Sequence, residues 1–160
     1  RAGIIDNVNL NSAQGSVGTN IGNMAPNFKL PDAEGNIIKL DSLLGQKAVV
    51  INFWASWCSP CLEEMPNLEA LSQDLGDELT VIGINNQEAP DESSPFATAR
   101  GVTYPTVFFP NNDEVAKAYQ VLAMPTTYYL DKNGVIVVRK VGFDTKIGMN
   151  EKAHRAINHN

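Results

Sequence analysis

The apolar residues of this chain fall in short runs that change period along the sequence. "KAVVINFWA" (47–55) and "LTVIGIN" (79–85) are almost unbroken apolar stretches rich in β-branched residues. Such runs predict central strands buried on both faces. Between them, Leu62, Met65, Leu68, Leu71 and Leu75 recur every three or four residues, which predicts one helix with a single apolar stripe, closing at Gly76. Pro66 falls inside that helix, where it removes one backbone donor and predicts a kink.

The flanking segments are shorter. "NFKLPDAEGNIIKL" (27–40) predicts a hairpin around a polar, glycine-containing turn, followed by a brief helical turn capped by Asp41 and stopped at Gly45. Residues 92–101 predict a short helix with Ser94 as cap and Pro95 at its first position. A strand is predicted at 106–109 and a short helix at 113–120. "TTYYLD" (126–131) and "VIVVRKV" (135–141) flank "KNG", a second hairpin signal. From Thr145 the tail predicts a helix with Ile147, Ala153, Ala156 and Ile157 facing inward. Strand–helix alternation closed by a hairpin predicts an α/β fold: a mixed central sheet with helices on both faces and an N-terminal β-hairpin. Residues 1–23 are rich in Asn, Gly and Ser without periodicity and predict a flexible arm or tether, leaving 24–160 as one domain.

Composition narrows this picture only a little. A 160-residue chain that is 43% hydrophobic can build a core without disulfide staples. The net charge is −6, with basic residues scattered rather than clustered, which argues against a nucleic-acid surface. No apolar run reaches the ~18 residues of a membrane span. The chain starts at Arg1 rather than Met, so a removed leader or anchor is compatible with it.

The chemistry concentrates in "FWASWCSPC" (53–61), which holds both cysteines of the chain. Cys58 and Cys61 lie at a strand-to-helix junction, on nearly one face of the first helical turn, close enough for an S–S bond. Unpaired N–H groups and partial positive charge there stabilise a thiolate. Cys58 is expected to be the exposed, attacking sulfur and Cys61 the resolving one. Pro60 fits the first turn, where its missing donor costs nothing. Three other readings compete. Zinc needs about four ligands; His154 and His159 form a half-site by spacing, but they lie far beyond the ~12–15 residues of a finger. The others are two inert core cysteines and a purely structural disulfide, whose loop is too small to constrain the unfolded chain much.

"FWASWCSPC", with Pro66 five residues past Cys61 and "AMPTTYYLDKNG" further on, resembles the active-site segments of thioredoxin-fold proteins. The stretch "APNFKLPDAEGNIIKLDSLLGQKAVVINFWASWCSPCLEEMPNL" and the added helix–strand segment near 90–110 are similar to the TlpA/ResA/CcmG group of bacterial thiol–disulfide oxidoreductases, with the AhpC/TSA–redoxin type of layout. The resemblance covers about 25–145. A peroxiredoxin shares that layout, but its reactive cysteine does not normally sit in WCxxC.

The resemblance implies a cis Met124–Pro125 bond facing the cysteines, with the Met124 backbone pairing with an extended substrate. It implies that Trp57, Ser59 and Pro60 face substrate, whereas Trp54 reads as core. Thioredoxins generally carry a buried Asp where this chain has Asn52; the pattern WCxPCxxExP supplies Glu64 instead, implied to tune the proton of Cys61. Some relatives place a further acid near 106–109, where this chain reads "TVFFP". No metal or organic cofactor is implied beyond the redox-active Cys58–Cys61 pair. Pro60, and no histidine between the cysteines, favour a reductant. The implied setting is extracytoplasmic, with a membrane tether outside residues 1–160. The implied partners are a membrane thiol–disulfide donor and a protein disulfide such as that of an apocytochrome c. A disulfide oxidase or isomerase, or a noncatalytic binding module, are the alternatives.

Overall fold

The computed structural model describes residues 3–4 and 15–159. Along the chain run β1 (Gly3–Ile4), β2 (Phe28–Pro31), β3 (Ile37–Lys39), α1 (Leu40–Leu43), β4 (Ala48–Trp54), α2 (Ser59–Asp74), β5 (Leu79–Asn85), α3 (Pro90–Ala99), β6 (Thr106–Phe108), α4 (Glu114–Ala118), β7 (Thr126–Leu130), β8 (Ile136–Val141) and α5 (Lys146–Ile157). Five strands form the central sheet in the order β6-β5-β4-β7-β8; β1, β2 and β3 form a second, antiparallel one. β4 pairs in parallel with β5 and antiparallel with β7, so the central sheet is mixed, as its alternating and hairpin segments predict.

β4 is buried along its whole length, and alternation sorts its residues onto two cores. Val49, Ile51 and Phe53 pack with Phe28, Leu40, Val115, Tyr119 and Tyr128 beneath the N-terminal hairpin, α1 and α4. Ala48 and Val50 pack with Leu68, Leu71, Met149, Ala153 and Ala156 of α2 and α5. Asn52 sits on this second face, where α2 passes over it. Tyr119 and Tyr128, without a role in the sequence, close their hydroxyls on backbone carbonyls of Pro26 and Tyr119 respectively.

Several local expectations shift. The helix expected at 92–101 begins earlier, at Pro90. Glu92 Oε1 accepts from the Ala89 N–H at 3.2 Å, so Pro90, not Pro95, fills the first turn, and Ser94 caps nothing. Asp41 lies inside α1; its N–H donates to Asn27 Oδ1 at 3.1 Å, which does the capping from outside the helix. Ile147, expected inward, is 84% exposed, because α5 packs through Met149, Ala153 and Ala156, which have helical i, i+4, i+7 spacing and a direction that excludes position 147. α2 continues through Pro66.

The arm expected over 1–23 lies in large part outside the described residues. Where it is described, it is held. Gly3–Ile4 pairs with β2, the Gly18 N–H donates to Met24 O, and the Gly22 N–H donates to Ile136 O at 2.9 Å. Ordered chain therefore precedes the boundary expected at 24, because β2 and β8 offer backbone groups that this segment pairs.

Candidate active site

The site lies where β4 ends. β4 delivers Trp54 into the interior, Ala55-Ser56-Trp57 turns, and Cys58 becomes the N-cap of α2. The turn is pinned from a neighbouring loop. Glu88 accepts from the Ser56 N–H at 2.8 Å and from the Ser56 hydroxyl at 2.5 Å. Asn85 holds Glu88 in turn, its Nδ2 donating to Glu88 Oε1 at 2.9 Å. Gln87 completes this loop at φ 63°, a left-handed conformation uncommon outside glycine. Nothing in "NNQEAP" marks Glu88 as a site residue; only the meeting of two loops does.

Cys58 and Cys61 are joined as a disulfide with 5.3 Å between their Cα atoms. Cys58 Sγ accepts from the Cys61 N–H at 3.3 Å, so the first turn directs a donor at the sulfur expected to become a thiolate. Cys58 is only 5% exposed, not the open sulfur expected, because the bonded pair packs against Trp54, Ala55, Met65 and the partly buried Met124. Trp57 is 71% exposed beside it, and Ser59 and Pro60 are exposed in the first turn. The Met124–Pro125 peptide is cis, and Met124 packs against the cysteine cluster. Trp54 is fully buried, as core packing requires.

One turn further along α2, Glu64 is buried on the face shared with Cys61. Its Oε1 accepts from Asn52 Nδ2 at 3.3 Å, and its Oε2 from the Asp144 N–H at 2.7 Å. Asn52 Nδ2 also donates to Thr127 Oγ1 at 2.9 Å. Burial pushes the Glu64 carboxyl up from 4.5 to about 7; the two hydrogen bonds and the Lys140 charge oppose this, and the Asp144 charge adds to it. Such a group gains and loses a proton near neutral pH.

A polar row in the apolar sheet makes room for this acid. Lys140, Thr127, Asn52, Gly83 and Thr106 are register partners across β8, β7, β4, β5 and β6. At Gly83 a side chain would press on the Trp54 indole, its Cβ only 3.3 Å from Nε1. β6 adds no acid to this row; its Val107 and Phe108 are buried.

The two histidines are engaged elsewhere. His159 Nδ1 lies 2.7 Å from Asp131 Oδ2, and His154 Nδ1 lies 2.8 Å from Asn150 O. Among the described residues no group of three or more His, Cys, Asp or Glu is placed to hold a metal ion.

Residues 21–139 match the AhpC/TSA family. The chain is 36% identical over 139 residues to the thioredoxin-like protein YneN of Bacillus subtilis, covering 85% of this chain and 80% of that protein. It is 37% identical over 129 residues to the thiol–disulfide oxidoreductase ResA of Geobacillus thermodenitrificans, covering 79% and 72%. Among solved structures, a thiol:disulfide interchange protein DsbE from Chlorobium tepidum superposes with a TM-score of 0.79 at 26% identity, over 87% of this chain and 99% of that one. With its thioredoxin fold and its bonded Cys58–Cys61 pair, the chain belongs to the AhpC/TSA family, among the ResA-like thiol–disulfide oxidoreductases.

Proposed function

We propose that the protein is an extracytoplasmic reductant of protein disulfides. The observation that carries this reading is the Cys58–Cys61 disulfide at the start of α2, with Pro60 and no histidine between the cysteines and the buried Glu64 carboxyl on the same helix face as Cys61. In the reduced protein, the Cys58 thiolate attacks one sulfur of the substrate disulfide. A mixed disulfide forms, and the other substrate sulfur leaves as a thiolate that takes up a proton. Glu64 then accepts the proton of Cys61, whose thiolate attacks Cys58 Sγ. The second substrate sulfur departs and is protonated, leaving the substrate reduced by two electrons and Cys58–Cys61 oxidised. Trp57, Ser59, Pro60, Met124 and Pro125 make the surface on which the substrate segment lies, with the Met124 backbone adding to it as a strand edge.

Kinship with ResA- and DsbE-type proteins supports a setting outside the cytoplasm; a membrane tether beyond residues 1–160 belongs to the same reading. None of the described helices is long and apolar enough to cross a membrane. A membrane thiol–disulfide protein returns the electrons, and the substrate is an exported protein disulfide, such as the CxxCH disulfide of an apocytochrome c. No nucleic acid, metal or organic cofactor enters this scheme. The test is the reduction potential together with trapping. A potential near thioredoxin's −270 mV or so supports a reductant, whereas one above about −180 mV makes the protein an oxidase or isomerase. Cys61→Ser is expected to accumulate mixed disulfides through Cys58; absence of trapping and of insulin reduction would leave a noncatalytic binding module.

A further inference from the structure

The turn between β8 and α5 is tied to the site at two points. The Gly142 N–H donates to Pro125 O at 2.8 Å, and the Asp144 N–H donates to Glu64 Oε2 at 2.7 Å. Phe143, between these anchors, keeps 43% of its surface exposed. The sheet register places it at the active-site end: Phe53, Thr126 and Val141 are partners across β4, β7 and β8, so Trp57, Leu122, Met124 and Phe143 all extend from one edge. Trp57, Leu122, Val141 and Phe143 are exposed apolar residues at the end of the sheet where the cystine lies, with Ser59 and Pro60 exposed beside it. Isolated exposed apolar residues need no explanation, but a set gathered at the end of the sheet that carries the reactive group points to a contact surface.

We propose that Phe143 is a specificity-determining residue for polypeptide disulfides, and that Glu64 is the positioning residue that holds its turn against the cis-proline loop. This deepens the reading of the protein as a protein-disulfide reductant and rests on it. The occupant is an extended polypeptide segment carrying an apolar side chain close to its cystine; a small disulfide reaches Cys58 without touching Phe143. A substrate laid along the Met124 edge crosses the Gly142–Pro125 tie, and its next side chain meets Phe143. Glu64 thus acts twice, through Oε1 on the Asn52 side and through Oε2 on the docking turn.

The two duties separate chemically. Glu64→Gln removes the titrating proton but keeps an acceptor for the Asp144 N–H. Its amide NH₂ then faces Asn52, whose Oδ1 is buried without a partner. Rotating the Asn52 amide presents Oδ1 to that NH₂, and the Thr127 hydroxyl, able to donate or accept, follows. Glu64→Ala leaves the Asp144 N–H without its carboxylate.

The experiment is a single-turnover reaction of the reduced protein with insulin and, separately, with 5,5′-dithiobis(2-nitrobenzoate). Phe143→Ser is expected to lower the rate constant with insulin about five- to tenfold, the scale of one well-placed aromatic contact, and to leave the small disulfide within about twofold. Phe143→Leu keeps an apolar contact and is expected to retain most of the insulin rate, which also checks that the fold tolerates change there. The insulin-to-small-disulfide ratio is expected to fall in Glu64→Ala, stay near wild type in Glu64→Gln, and fall no further in Glu64→Ala/Phe143→Ser than in Glu64→Ala. An unchanged ratio in Phe143→Ser overturns the inference, as does an equal ratio in the two Glu64 variants. Failure of the wild-type protein to react with either disulfide would instead overturn the proposed function.

Discussion

Asn52 Nδ2 lies 3.3 Å from Glu64 Oε1 across the interface between β4 and α2. The amide stands in a strand otherwise built from Ala, Val, Ile, Phe and Trp, and the acid stands in the apolar stripe of a helix. Each is a buried polar group that would be costly alone; facing each other they share a hydrogen bond, and Thr127 and the Asp144 N–H satisfy more of the pair. The acid remains protonatable because the amide offers it a donor and no charge.

The first consequence concerns stability. The folded-state pKa of Glu64 is raised from 4.5 to about 7, so its contribution is fully present below about pH 4.5 and is lost as pH rises through about 7. Relative to Glu64→Gln, the oxidised wild type is expected to lose about 3 kcal/mol across that interval. Urea denaturation of both proteins at pH 4.5 and 8 measures it; parallel pH dependences would refute the assignment.

The same substitution is expected to flatten the pH profile of insulin reduction near pH 7. It is also expected to slow release from the mixed disulfide by roughly a hundredfold, the lower end of general acid–base contributions. Stopped-flow rates from pH 5 to 9 decide this; a wild-type profile in Glu64→Gln would remove Glu64 from the proton step.

Asn52→Asp places a second carboxyl beside the first. Two adjacent buried acids cannot both ionise cheaply, so one proton is retained to higher pH. The variant is expected to be nearly as stable as wild type at pH 5 and less stable by a few kcal/mol at pH 8, on the scale of an unpaired buried charge. Thermal unfolding at the two pH values tests the sign.

Glu88→Ala removes both bonds that hold Ser56, and the expected cost is about 2 kcal/mol, as for hydrogen bonds to a charged group. The loop bearing Trp57 and Cys58 then loses its fixed position, and reaction with the small disulfide is expected to slow severalfold. Denaturation and single-turnover rates report the two effects separately.

On α5, Met149→Ala is expected to cost about 2–3 kcal/mol as a buried truncation. Ile147→Ser is expected to change stability by less than about 0.5 kcal/mol, as for other exposed positions. Equal losses would contradict the orientation of the helix.

The linear pattern carried most of the architecture, because strand and helix periods are local properties. The unbroken apolar runs became β4 and β5, and the leucine stripe became α2. Cys58 and Cys61 were legible for the same reason: three residues at a helix start lie within one turn. Where neighbouring signals competed, locality failed. Pro90 and Pro95 each suit a first helical turn, and the reach of Glu92 back to the Ala89 N–H selected the earlier start. On α5 the face that packs was chosen by the sheet rather than by Ile147 itself.

Asn52 and Glu64 could each be noted in the chain as residues of unusual type for their positions, with a proton role for Glu64 implied by family resemblance. Their contact could not, since it depends on the β4–α2 packing. Glu88 on Ser56, the Asp144 N–H on Glu64, and the Gly142 N–H on Pro125 O join positions separated by long stretches of chain. A local code specifies which residues make a strand, a turn or a thiol pair. Burial, and with it the proton affinity of Glu64 and the placing of Phe143, is set by every element that closes over a group, and so exists only once the chain has folded.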